Sequence, residues 1–156
     1  MPPTFGYGTA LFNGMEWQAD SRGNGIKGIE NITLVLIASS FKKNHLEWLS
    51  FSQFPMQTGE YRLHRYYDTI PDTLAYSNLF LGIDHVEDLL LQDTYRVSEE
   101  DTLAMLKITS VNHETQIMTG EFQGTYIRDT SRPNGNPDFP DTIRFMGGKF
   151  KVKLRF

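Results

Sequence analysis

Aromatic and basic side chains alternate over residues 61–67, a pattern suited to ligand binding. In a strand, one face would carry Tyr61, Leu63 and Arg65, and the other would carry Arg62, His64 and Tyr66. Aromatic faces stack on sugar rings and arginine presents a fixed fork of donors, so the stretch could line a groove for a sugar or an anion. The alternative is an amphipathic strand whose arginine stems cover apolar surface. The sequence alone therefore assigns no binding residue.

Potential metal ligands are densest at Asp84-His85-Val86-Glu87-Asp88. On a short helix, Asp84 and Asp88 would share a face, and their carboxylates suit a hard cation such as calcium. No glycine-punctuated loop or second ligand motif accompanies them. We therefore predict a solvated turn, with no metal site and no cofactor.

Three glycines, Gly23, Gly25 and Gly28, have the spacing of a dinucleotide-binding loop. Such a loop follows a strand and opens a helix. Here a β-hairpin precedes the glycines and a β-branched stretch at residues 32–38 follows them. The spacing therefore predicts an ordinary glycine-rich loop.

The residues needed for catalysis do not form a recognisable motif. A Gly-x-Ser-x-Gly nucleophile turn is absent, and no two histidines have the spacing of a metal-binding pair. Two carboxylates such as Glu60 and Glu121 could converge across neighbouring strands, as in a glycosidase. A glutamate on the wet face of a strand is more commonly a solubility residue, and we predict that the protein is not an enzyme.

The last residues alternate strictly between apolar and basic side chains. The apolar positions are Phe150, Val152, Leu154 and Phe156, and the basic positions are Lys149, Lys151, Lys153 and Arg155. A basic face can bind anions or nucleic acid, but the whole chain has a net charge of -4. We therefore predict no nucleic-acid partner, and we interpret the lysines as protection of an exposed terminal strand.

Hydrophobic alternation predicts strands throughout the chain. Asn13-Gly14 predicts a type I′ hairpin turn, with Trp17 as the core anchor of that hairpin. At Ser98-Glu99-Glu100-Asp101 a capping-box spacing allows a short helix, but we prefer a turn followed by a strand. Met146-Gly147-Gly148 predicts a second turn. The predicted strands cover residues 9–12, 15–19, 32–38, 46–51, 61–67, 74–83, 89–97, 104–111, 117–128, 142–145 and 150–156.

The 156 residues suit a single domain, 1–156, with one core. We predict an all-β antiparallel sandwich, and the alternative is a closed lipocalin-like β-barrel. There are no cysteines, so disulfides and thiolate metal sites are excluded. No apolar run reaches the length of a membrane span. The start lacks the features of a signal segment, so we expect either a cytosolic protein or one whose signal segment was removed.

Several short motifs occur in an order that resembles a group of uncharacterised secreted or lipid-anchored all-β proteins, found chiefly in Bacteroidetes. They are Phe12-Asn13-Gly14-Met15-Glu16-Trp17-Gln18-Ala19, Gly59-Glu60-Tyr61-Arg62-Leu63, Leu106-Lys107-Ile108-Thr109, Met118-Thr119-Gly120-Glu121-Phe122 and Gly148-Lys149-Phe150. Two features depart from that group: Thr119-Gly120-Glu121-Phe122 replaces its Ser-Gly-Thr-Phe, and the lipid-attachment cysteine is absent. The resemblance implies a sandwich-like fold and an extracytoplasmic location, in the periplasm or at the cell surface, and implies no catalytic residue.

Three functional hypotheses follow. The preferred one is a non-catalytic extracytoplasmic module that binds a partner surface or a glycan, or serves as a structural component. The second is a carrier of small hydrophobic ligands inside a barrel, which would need an enclosed apolar cavity. The third is an enzyme of unknown class, which would need ionisable groups that converge in a cleft.

Overall fold

The computed structural model describes residues 6–25, 31–38, 45–67, 69–71, 73–84, 89–130 and 139–155. These residues form ten strands and no helix, which confirms the all-β prediction. In the part of the chain that is described, no helix is long and apolar enough to cross a membrane. The strands are β1 (Gly6–Phe12), β2 (Met15–Gly25), β3 (Asn31–Ala38), β4 (His45–Pro55), β5 (Gly59–Arg62), β6 (Tyr76–Asp84), β7 (Leu89–Val97), β8 (Met105–Asn112), β9 (Ile117–Arg128) and β10 (Thr142–Arg155).

All ten strands belong to one sheet. Eight of them pair in a closed circuit, in the order β1, β2, β3, β4, β6, β7, β9, β10 and back to β1. Strands β8 and β5 extend from β9 as a side branch. All pairings between strands are antiparallel except a short parallel contact at the end of β10, where Leu154 lies opposite Gly23 of β2. The circuit separates one inward face from one outward face.

The inward face carries a single hydrophobic core. The core forms because successive side chains of a strand point to opposite faces of the sheet. Along β9 the buried positions are Met118, Gly120, Phe122, Gly124 and Tyr126, as the sequence predicted. Phe145 of β10 is the central aromatic residue of this core. Its ring centroid lies 5.2 Å from that of Phe12, 5.0 Å from Trp17, 6.1 Å from Phe122 and 5.7 Å from Tyr126. Aromatic side chains therefore fill the interior between β1, β2, β9 and β10.

The predicted hairpin and the predicted strand after residue 101 are both confirmed. Asn13 and Gly14 have φ values of 48° and 83°, as a type I′ turn requires, and Trp17 is buried. The Asp101 carboxylate accepts a hydrogen bond from the Leu103 backbone N–H at 2.9 Å. This bond ends a turn, and β8 follows it, so the helical alternative is wrong.

The predicted turn at Met146-Gly147-Gly148 is wrong: this segment is a bulge within one continuous strand. Phe145 pairs with Gly124 of β9 before the bulge, and Gly148 pairs with Phe122 of the same strand after it. Gly147 has a φ of 59°, and a Cβ at Gly148 would lie 2.6 Å from the Phe122 carbonyl oxygen. Both glycines are thus explained by a bulge that fits closely against β9.

Strand β10 is also not an exposed edge, contrary to the prediction. It pairs with β9 along one side and with β1 and then β2 along the other. The strand at the end of the sheet order is β5. Edge protection therefore does not explain the lysines of β10.

The strand predicted at residues 61–67 ends early, at Arg62. The Leu63 side chain is buried, its N–H donates to the Ala104 carbonyl at 2.9 Å, and the His64 N–H donates to the Ala75 carbonyl at 3.0 Å. The chain thus leaves β8 and crosses toward the start of β6, because Leu63 inserts into the core. The period-two pattern beyond Arg62 did not reflect a strand.

Candidate functional site

The aromatic and basic residues at 61–67 form an exposed patch. Tyr66 and Tyr67 are exposed, and the Tyr66 ring centroid lies 4.9 Å from that of Tyr76 at an interplanar angle of 53°. Burial first, and then the charge of nearby Arg62, lower the pKa of His64. The patch offers stacking surface, but none of residues 61–67 lines any of the three grooves described below.

Of the acidic cluster predicted as a solvated turn, Asp84 ends β6, and His85 to Asp88 lie outside the described residues. Elsewhere in the described ranges, no three histidine, aspartate or glutamate side chains are grouped to hold a metal ion.

Of the glycine motif, Gly28 is outside the described residues, whereas Gly23 and Gly25 lie in β2, which is followed by β3. A Cβ at Gly23 would lie 2.5 Å from Leu154 Cδ2, so this glycine allows β2 to approach β10 closely.

The carboxylates considered for catalysis do not converge in a cleft. Glu60 of β5 and Glu121 of β9 both lie opposite Lys107 of β8, so their backbones are two strands, or about 10 Å, apart. The Lys107 ammonium lies between these strands, with its Nζ 3.9 Å from Glu60 Oε1. All three side chains are exposed. A pair of carboxylates on either side of a sugar bond is not formed by these residues.

One hydrogen-bond network of buried polar groups joins three strands across the interior. The Tyr126 hydroxyl shares a 2.6 Å hydrogen bond with Ser77 Oγ, which also donates to the Ser50 carbonyl at 2.7 Å. Burial raises the pKa of Tyr126 far above its ordinary value, so the phenol stays neutral. These contacts join β9, β6 and β4 across the core and leave no polar group of this network for chemistry.

A second internal network holds the segment that leads into β10. The Tyr95 hydroxyl donates to the Pro140 carbonyl at 2.5 Å, and the Arg128 guanidinium donates to the Tyr95 hydroxyl at 3.4 Å and to the Phe139 carbonyl. Arg128 Nε also lies 3.8 Å from Oδ1 of the buried Asp93. The arginine thus neutralises a buried carboxylate and anchors residues 139–141.

One groove on the outward face combines an aromatic ring with polar groups, and we call it the Tyr7 groove. It has a volume of about 520 Å³ and crosses β1, β2 and β3. Its residues are Tyr7, Gly8, Thr9, Gln18, Ala19, Asp20, Ile37 and Ala38. The small residues point to the core, so backbone forms the floor, while the larger ones stand on the outward face.

Strand register brings the walls of the Tyr7 groove together. Tyr7 lies directly opposite Asp20, Thr9 lies opposite Gln18, and Asp20 lies opposite Ile37. Side chains directly opposite each other are about 5 Å apart at Cβ. Tyr7, which is 44% exposed, thus stands beside a carboxylate and an amide.

The Tyr7 groove belongs to a longer row of outward residues across seven strands. The register aligns Lys151, Tyr7, Asp20, Ile37, Trp48, Phe80 and Thr94 from β10 to β7. Trp48 and Phe80 are half-buried on this outward face. This row is not recognisable in the sequence because its members are distant in the chain. The signal that could have found it is the outward position of Tyr7 in the alternation of β1.

A second groove, which we call the basic groove, lies where β10 meets β2. It has a volume of about 550 Å³ and is lined by Ser21, Arg22, Gly23, Asn24, Lys153 and Arg155. The two grooves meet on β2, since Asp20 lines the first and Arg22, two residues further along the same face, lines the second. Together they offer a polar trough with one aromatic wall and one cationic end.

A third groove of about 460 Å³ lies between the turn at residues 98–104 and the bulge of β10. Leu103 and Met146 stand exposed at its rim, and Arg144 and Gln123 contribute polar groups. Gln123 Nε2 donates to the Leu103 carbonyl at 2.9 Å. This groove has flexible apolar side chains where the Tyr7 groove has a rigid exposed ring.

Comparison with known proteins gives no further assignment of the site: no family model, no curated protein and no solved structure matches this chain.

Proposed function

We propose that this chain is a non-catalytic, extracytoplasmic carbohydrate-binding module that holds a glycan in the Tyr7 groove. The observation that carries the proposal is the position of the exposed Tyr7 ring directly opposite the Asp20 carboxylate, in a groove of about 520 Å³. The extracytoplasmic part of the proposal is supported by the resemblance to secreted all-β proteins.

The chemistry of the groove suits a sugar. The face of an aromatic ring packs against the C–H side of a pyranose, and tyrosine provides this area with little loss of side-chain entropy. Asp20 supplies acceptors, and Gln18 supplies both donors and acceptors, for the hydroxyl groups at the ring edge. A shallow groove with a backbone floor lets a chain of sugars enter and leave along the surface.

The interior favours a ligand on the outward surface. A carrier would need the volume enclosed by the sheet, and the aromatic side chains around Phe145 occupy the part of it between β1, β2, β9 and β10. The described polar network around Tyr126 is internally hydrogen-bonded. We therefore place the ligand outside the core.

The test is a glycan array followed by calorimetry with the tightest-binding oligosaccharide. We expect Tyr7→Ala to weaken binding about tenfold or more, because truncating a stacked aromatic anchor removes the centre of the contact. The matched control is Tyr67→Ala, which removes an equally exposed tyrosine from the patch at residues 61–67. Equal losses from both variants, loss from the Tyr67 variant alone, or no binding to any glycan would contradict the proposal.

A further inference from the structure

The outward face of β10 carries a row of cations beside the Tyr7 groove. Lys149, Lys151, Lys153 and Arg155 all point outward and are exposed, and Arg22 of β2 stands next to this row. Residues two apart on a strand are separated by about 6.6 Å, so the row extends over about 20 Å. We call these five residues the basic row.

The pairing of β10 removes the simplest structural explanation for the basic row. Lysines on an edge strand prevent sheets from pairing with other chains, but β10 is hydrogen-bonded on both sides. Salt bridging does not account for the three lysines or Arg22 either. Within the described ranges, Lys149, Lys151, Lys153 and Arg22 form no ion pair with a carboxylate.

The basic row is continuous with the Tyr7 groove. Lys151 lies directly opposite Tyr7, and Lys149 lies opposite Thr9. Adjacent strands are about 4.8 Å apart, so a sugar stacked on Tyr7 lies within reach of both ammonium groups. Beyond Asp20, the Tyr7 groove continues into the basic groove, which Arg22 and Lys153 line.

The five cations of the basic row outnumber the carboxylates beside them, Asp20 of the Tyr7 groove and Glu121 opposite Lys149, so this face favours a ligand of negative charge. Lysine offers a mobile point charge, and arginine offers two parallel donors that fit a carboxylate or a sulfate group. Several cations at regular spacing beside a sugar-stacking ring match a linear glycan with repeated anionic groups. A chain with a net charge of -4 gains this attraction only locally, on the face where the basic row lies.

We infer that the glycan held in the Tyr7 groove is anionic, and that the basic row binds its carboxylate or sulfate groups along β10. The inference rests on the proposed function, since it names the class of glycan for the same site. A nucleic acid would use the same cations without needing the Tyr7 groove, and it is tested below as an alternative.

Calorimetry with matched oligosaccharides tests the inference. The probes are a galacturonate tetramer, its carboxyl-reduced galactose counterpart, a sulfated tetrasaccharide and a twelve-nucleotide oligothymidylate, each at low and at high sodium chloride concentration. We expect an anionic tetramer to bind about tenfold or more tightly than the neutral one, and this advantage to shrink at high salt because salt screens exposed charges. Binding of the galacturonate tetramer or of the sulfated tetrasaccharide alone identifies which anionic group is recognised.

Variants assign the effect to the basic row. Lys151→Gln with Lys153→Gln should weaken binding of the anionic tetramer about tenfold and binding of the neutral one far less, because a neutral sugar loses no charge-assisted hydrogen bond. The matched control, Lys107→Gln with Arg144→Gln, removes two other outward cations and should change neither.

Each contrary result separates the two claims. Equal affinity for the charged and neutral tetramers overturns the inference and leaves the proposed function intact. The inference is also overturned if oligothymidylate binds as tightly as the anionic tetramers and Tyr7→Ala does not weaken that binding. Failure of every glycan to bind overturns the proposed function itself.

Discussion

Truncation of Phe145 tests whether the interior is filled. This ring is fully buried and lies within 6.1 Å, centroid to centroid, of four other aromatic rings. Replacing a buried phenylalanine by alanine costs about 3–5 kcal/mol, and each aromatic pair contributes about 0.5–1.5 kcal/mol beyond burial. We therefore expect Phe145→Ala to lower the free energy of unfolding by about 4–5 kcal/mol, toward the upper end of that range.

The assay is equilibrium unfolding in urea, followed by fluorescence and circular dichroism. Since domains are stable by only about 5–15 kcal/mol, Phe145→Leu should be measured as well, in case the alanine variant unfolds. The control is the adjacent Met146→Ala, which truncates a side chain that is 54% exposed and should change stability by less than about 0.5 kcal/mol. A loss below about 2 kcal/mol for Phe145→Ala would refute the filled interior, because it would mean that the ring borders an existing void.

Three further predictions concern the fold. Gly148→Ala should cost about 3 kcal/mol because its Cβ would meet backbone, whereas Gly147→Ala should cost about 1 kcal/mol because its Cβ enters open space and only the positive φ is strained. Tyr126→Phe should reduce the loss of stability above pH about 10, where the unfolded phenol ionises but the buried one, whose pKa is raised, does not. Arg128→Met should cost about 3 kcal/mol because it leaves buried Asp93 without this cation.

Urea unfolding of each variant checks these values. Equal costs for the two glycine variants would refute the close fit of the bulge against β9. The sign of the tyrosine effect is fixed: stability is retained below the unfolded pKa and falls as pH rises toward the folded pKa, so an unchanged alkaline slope in Tyr126→Phe would contradict burial of the phenol. For Arg128, the control Arg128→Lys keeps the charge and should recover part of the loss. Full stability of Arg128→Met would refute the anchoring role.

The sequence predicted those elements whose cause is local. The alternation of side chains in β9 marks the buried face of that strand, and Asn13-Gly14 determines the turn between β1 and β2. Both features depend on residues that are adjacent in the chain. The two glycines of β10 suit a turn and a bulge equally well. Only the pairing of Phe145 and Gly148 with one strand, β9, distinguishes the two.

The candidate site could not be predicted because it, too, depends on pairing between strands that are distant in the chain. Tyr7, Asp20 and Ile37 belong to three strands, and it is the register that places them side by side. The row of lysines was visible, but its interpretation depended on whether β10 is an edge. Pairing between β1 and β10 joins the two ends of the chain, a contact that no local pattern reports.

The most direct test of the proposed site is an amide NMR titration with the tightest-binding oligosaccharide. We predict chemical-shift changes centred on Tyr7, Gln18 and Asp20 and extending to Lys149 and Lys151 of β10. Changes centred instead on Tyr66 and Tyr67, or on the groove beside the β10 bulge, would contradict the assignment of glycan binding to the Tyr7 groove.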